Sequence, residues 1–162
     1  MTSAYDPLRA LRTLVDHGVE FVVIGGFAGR LWGSPTATND LDVCPKWSSS
    51  NLARLSTVLI ELHARLRGAP PEVVFPLDPA TLAAGRNFTF ATDAGGLDLL
   101  AEPAGGFDYT ALAAASHALD LGTVTVDVVD LDDLITMKRS AGRRKDLIEV
   151  EVLEALRDET DR

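Results

Sequence analysis

The segment 24–45, IGGFAGRLWGSPTATNDLDVCP, constrains the fold more than any other part of the chain. It follows Glu20-Phe21-Val22-Val23, a β-branched and aromatic run that reads through Ile24 as a buried strand. Gly25-Gly26 ends that run, and thirteen residues later comes Asp40-Leu41-Asp42-Val43. Side chains alternate across a strand, so Asp40 and Asp42 share one face while Leu41 and Val43 point into the core. Two carboxylates a few ångströms apart repel, and each raises the pKa of the other. A strand gains nothing from this unless a cation sits between them. Oxygen ligands of this kind suit magnesium, which takes one or two carboxylates plus substrate phosphates.

Two further features extend the pattern. A Gly-Gly at a strand end, entering a helix, leaves backbone N–H groups bare, and a phosphate can settle there. Asp98 lies between Leu97 and Leu99 in GLDLLA, a polar residue facing opposite to two apolar ones. If its strand neighbours that of Asp40 and Asp42, three carboxylates converge. Such a set can bind one or two divalent ions about 4 Å apart and serve in-line phosphoryl displacement. Each feature also has a plain structural reading: a turn cap and an exposed strand start, a tight turn, an exposed residue on a half-buried strand.

The remaining pattern predicts a single domain over residues 1–162, of α/β (α+β) class, with a small mixed sheet flanked by helices. Leu8, Leu11, Leu14 and Val15 lie at helical spacing over 6–17. A short helix is expected over 27–32 and a strand over 41–44. Ser48 to Asn51 offer caps for a helix carrying Leu52, Leu55, Val58, Leu59, Leu62 and Leu66 on one face. The stretch 69–86 is rich in Pro and Ala and predicts no element. Strands are expected at 87–92 and 97–101, joined by the DAGG turn, and another at 124–129. A small helix over 111–118, one over 130–137 opened by Asp130, Asp132 and Asp133, and a last one over 145–157 complete the reading.

The net charge is −9, which disfavours a dedicated duplex-binding protein. Yet KRSAGRRK, residues 138–145, holds five basic residues in eight, a local patch suited to a phosphate-bearing ligand. Cys44 is the one cysteine, so no internal disulfide forms, and it reads as a small core residue. The N-terminus has no secretory pattern, and no apolar run approaches the roughly 20 residues of a membrane span. A cytoplasmic location without a membrane partner is the expectation.

Ile24-Gly25-Gly26, the gap, and Asp40-Leu41-Asp42-Val43 resemble the signature of the DNA polymerase β-like nucleotidyltransferase superfamily. The stretch from Lys138 to Leu147 resembles the K-x-x-A-x-R-x-x-D helix pair of AbiEii-like nucleotidyltransferase toxins, including the MenT proteins. The resemblance implies the minimal nucleotidyltransferase fold. It implies transfer of a nucleoside monophosphate from an NTP with release of pyrophosphate, on the 3′ acceptor end of tRNA, by the toxin of a toxin–antitoxin pair. It further implies that Asp40, Asp42 and Asp98 bind Mg²⁺, and that Gly25 and Gly26 face phosphate. Lys138 matches the essential lysine, Asp146 the late aspartate, and Arg143 joins Lys138 at the triphosphate. Thr38 matches a position at which a cognate antitoxin phosphorylates such toxins. Two positions depart from the pattern: Thr36 stands where many relatives carry Arg, and Lys145 precedes Asp146 where Arg is common. Within the same fold, the alternatives are an acceptor on a protein side chain or small hydroxyl, and an inactive binding domain.

Overall fold

A computed structural model describes residues 4–161. Seven strands form one mixed sheet in the order β3-β4-β5-β2-β1-β7-β6. They are β1 (Phe21–Ile24), β2 (Asp40–Pro45), β3 (Arg65–Leu66), β4 (Asn87–Thr92), β5 (Gly95–Leu100), β6 (His117–Asp120) and β7 (Thr125–Val128). The helices are α1 (Pro7–Asp16), α2 (Gly25–Leu31), α3 (Ser49–Glu61), α4 (Pro79–Ala84), α5 (Tyr109–Ala115), α6 (Leu131–Ala141) and α7 (Arg144–Thr160). β2 runs parallel to β5 and β1 parallel to β7, while the other neighbours are antiparallel. The expected class is the observed one.

The centre of the sheet is its most apolar part. All four residues of β1 are buried, and Leu41, Val43, Leu97 and Leu99 are buried beside them on the neighbouring strands. Short polar side chains start the helices: Ser48 caps α3 by accepting from the Asn51 N–H, as the sequence proposes, and Asp6, Asp78, Asp108 and Asp130 do the same for α1, α4, α5 and α6. These four aspartates therefore answer orphan N–H groups. α6 turns into α7 at Gly142, whose φ of +68° is the left-handed conformation of a helix C-terminus. Among the described residues no helix is long and apolar enough to cross a membrane.

Several boundaries differ from the expected ones: β5 starts at Gly95, inside the expected DAGG turn, and α6 runs on to Ala141. α3 stops at Glu61 instead of reaching Leu66, because His63 turns left-handed at φ +51° and the chain then pairs with β4. The helical leucine spacing is broken there by sheet pairing, a tertiary preference that outweighs local pattern. Ala118, read as helix, lies in β6: Asp120 accepts the Gly122 N–H at 2.8 Å, and this turn folds β6 back onto β7. Pro79–Ala84 forms a helix inside the stretch read as irregular. α2 begins on Gly25 itself, so the glycine pair starts a helix as well as ending a strand.

Candidate active site

The register of β2 and β5 decides how the acids meet. Asp42 stands directly opposite Asp98, and Asp40 opposite Gly96. The alternation that buries Leu41, Val43, Leu97 and Leu99 turns all three carboxylates to the other face. Two glycines leave room for them. A Cβ at Gly25, where φ is +69°, would lie 2.2 Å from Asp42 Oδ2. A Cβ at Gly96 would lie 2.0 Å from Asp40 Oδ1. Gly25 is thus required first by Asp42; Gly26 lines the cleft over the three acids, and Gly25 lines a smaller one that takes in Asp42, Lys138 and Arg143.

These acids are costly to ionise together. Burial pushes the Asp42 carboxyl up to about 7, helped by the charge of Asp98, a hydrogen bond shared with it, and the charge of Asp40. Lys138 opposes the shift. Burial also raises Asp98, against the opposing pull of Arg67.

Across the cleft stand the basic residues that the α6–α7 turn brings together. Asp146 is buried and accepts three bonds from Arg143, from Nε at 2.7 Å, from Nη2 at 3.3 Å and from the backbone N–H at 3.3 Å. Lys138 Nζ lies 3.7 Å from the other side of the same carboxylate. Burial alone would raise Asp146, but the bonds from Arg143 and the charge of Lys138 outweigh it and hold the carboxyl below its usual range. Asp146 therefore sits behind the two cations rather than in the row of Asp40, Asp42 and Asp98, and fixes where they point. Thr38 donates through Oγ1 to the Asp40 carbonyl at 3.2 Å. It packs so closely that a Cβ at Gly26 would come within 2.9 Å of that oxygen. A polar cleft of about 330 Å³ takes in Asp40, Asp42, Asp98, Lys138, Arg143 and Thr38.

Two residues of this cleft, Glu149 and Arg67, were not legible in the sequence. Lys145 stands with Arg143 on its rim. Buried Glu149 accepts from Thr36 Oγ1 at 2.5 Å, so Thr36 here serves a carboxylate of α7. Arg67 follows β3 and reaches over the strand edge to bond Asp98 Oδ1 at 2.5 Å and the Phe90 carbonyl at 3.1 Å. The alternation Arg65-Leu66-Arg67 was the signal, hidden by the leucine pattern of α3. A second cleft of about 530 Å³, with Tyr5, His63 and Arg65 on its walls, meets the first at Asp40 and Arg67.

The donor set suits a hard divalent cation: oxygen ligands only, on adjacent strands, with like charges that raise one another. Among the described residues, however, no three acid, imidazole or thiol groups are gathered closely enough to make a finished metal centre. Arg67 is placed among the acids.

No family model matches the chain, and no curated protein matches it significantly. Among solved structures it is similar to a Thermotoga maritima protein provisionally assigned as a nucleotidyltransferase, with a TM-score of 0.51 at 17% identity, over 98% of this chain and 96% of that one. The likeness runs the whole length of both chains and places this mixed seven-stranded sheet in the nucleotidyltransferase fold.

Proposed function

We propose that the chain is a magnesium-dependent nucleotidyltransferase, moving a nucleoside monophosphate from an NTP to an acceptor hydroxyl. The observation that carries this reading is the opposition of Asp42 and Asp98 across β2 and β5, with Asp40 beside them and Lys138 and Arg143 in the same cleft. The shared fold supports it. In the reaction the acceptor oxygen bonds to the α-phosphorus, the bond from that phosphorus to the bridging oxygen breaks, pyrophosphate leaves, and the acceptor proton passes to solvent. Asp40, Asp42 and Asp98 would hold the Mg²⁺, one ion or two, which when bound supplies Lewis-acid neutralisation of the phosphates. Lys138 and Arg143 stabilise the charge that grows on the leaving pyrophosphate. Asp146 is the positioning residue for both.

For the acceptor we propose the 3′ end of tRNA, and for the role the toxin of a toxin–antitoxin pair. The motif likeness of residues 138–147 to AbiEii and MenT proteins supports this, as does a basic rim on an otherwise acidic chain. A cognate antitoxin would act on Thr38, whose hydroxyl lies beside the Asp40 backbone. The net charge of −9 favours the second reading, an acceptor on a protein side chain or small hydroxyl.

Incubation with each labelled NTP, Mg²⁺ and total tRNA, in parallel with protein and small-molecule acceptors, separates these readings. Label on tRNA that EDTA abolishes supports the first. Label on a protein band or small molecule selects the second. The absence of both transfer and NTP binding would leave an inactive binding domain of the same fold.

A further inference from the structure

Arg67 has no role in the reading above, yet it occupies the position that matters most to it. Its backbone is fixed, because its N–H donates to the Thr89 carbonyl at 3.0 Å. Its guanidinium extends from the sheet edge to Asp98 at 2.5 Å and lies 3.7 Å from Asp40 Oδ1. Among the described residues it is the one basic side chain within 4 Å of the row formed by Asp40, Asp42 and Asp98. The slot is built for it, since a Cβ at Gly96 would lie 2.9 Å from Arg67 Nη2. Its side chain is 37% exposed, so the head can leave while the backbone stays paired. On leaving, it faces the second cleft, which shares this residue as a wall.

We propose that Arg67 is a displaceable counter-ion: without a divalent cation it bridges Asp98 and Asp40, and a cation binds this carboxylate row only by displacing it. This rests on the metal-binding reading of the three acids. Guanidinium and metal compete for the same oxygens, so the ion pair lowers metal affinity, and removing the guanidinium raises it. Releasing Arg67 also gives the second cleft a free cation only once metal is loaded, which couples the two clefts.

The test is Mn²⁺ binding, followed by electron paramagnetic resonance on the full chain without nucleotide. Arg67→Gln and Arg67→Ala are expected to bind Mn²⁺ about ten-fold more tightly than the parent, the size of an ordinary coupling between competing sites. Arg67→Lys, which keeps the charge, is expected to return towards parental affinity. Millimolar guanidinium added to Arg67→Ala is expected to weaken its Mn²⁺ binding, a rescue that a purely structural role would not produce. Equal or weaker Mn²⁺ binding in Arg67→Gln and Arg67→Ala would overturn the proposal and leave the metal reading intact. No Mn²⁺ binding by the parent or any variant would overturn both.

Discussion

At Gly25 the backbone stands at φ +69°, and a methyl group there would strike the Asp42 carboxylate. Gly25→Ala is therefore expected to cost about 1–2 kcal/mol from the left-handed backbone alone, and to reduce activity further by moving Asp42. Chemical denaturation and transfer assays on the same samples check this. Asp42 also sets a pH dependence. Its folded pKa is raised to about 7, above its unfolded value, so the stability linked to its protonated form is full at low pH and is lost as pH rises through about 7. In EDTA, Asp42→Asn is expected to lose less stability than the parent between pH 4 and 7, and parallel curves would contradict the raised value. A negative charge at Thr38, by phosphorylation or in Thr38→Glu, is expected to weaken divalent-cation binding beside Asp40. Unchanged Mn²⁺ affinity in Thr38→Glu would rule that out. The pair of acids on one strand face was fully legible, because strand alternation needs only the sequence. Arg67 was not, because the register of β3 against β4 is set by contacts distant in the chain.

At the scale of elements, the site is made where two pairs of elements meet. The parallel register of β2 and β5 opposes Asp42 to Asp98, and the Gly142 turn between α6 and α7 brings Lys138 and Arg143 to one carboxylate. The helix pair from Lys138 to Asp146 was readable through its resemblance to the K-x-x-A-x-R-x-x-D pattern, while local spacing ended the first helix before Lys138. What the spacing could not give was the burial of Asp146, which makes it an anchor. Asp146→Ala is expected to lower stability by about 1–2 kcal/mol through loss of the α7 cap, and to lower activity more than Arg143→Ala because both cations lose their orientation. Lys138→Ala, by contrast, is expected to lose about 10²-fold or more in transfer with the fold intact. Circular dichroism and thermal melts beside turnover distinguish the two outcomes. The failure at α3 has the same origin as that at Arg67: its leucine spacing continues past Glu61, but pairing with β4 redirects the backbone at His63.

For the molecule as a whole, an acidic chain builds a cleft of about 330 Å³ in which opposite charges face each other. The carboxylates of β2 and β5 form a concentrated negative charge opposite Lys138 and Arg143. The central claim is that this cleft transfers a nucleoside monophosphate, with the β2–β5 acids holding the metal. Parallel reactions with NTP labelled at the α- or the γ-phosphorus, for the parent and for Asp42→Asn, test it most directly. Nucleotidyl transfer requires α-label on the acceptor, γ-label released as pyrophosphate, and loss of both signals in Asp42→Asn. Label from the γ-phosphorus appearing on the acceptor, or undiminished α-label transfer in Asp42→Asn, would contradict it.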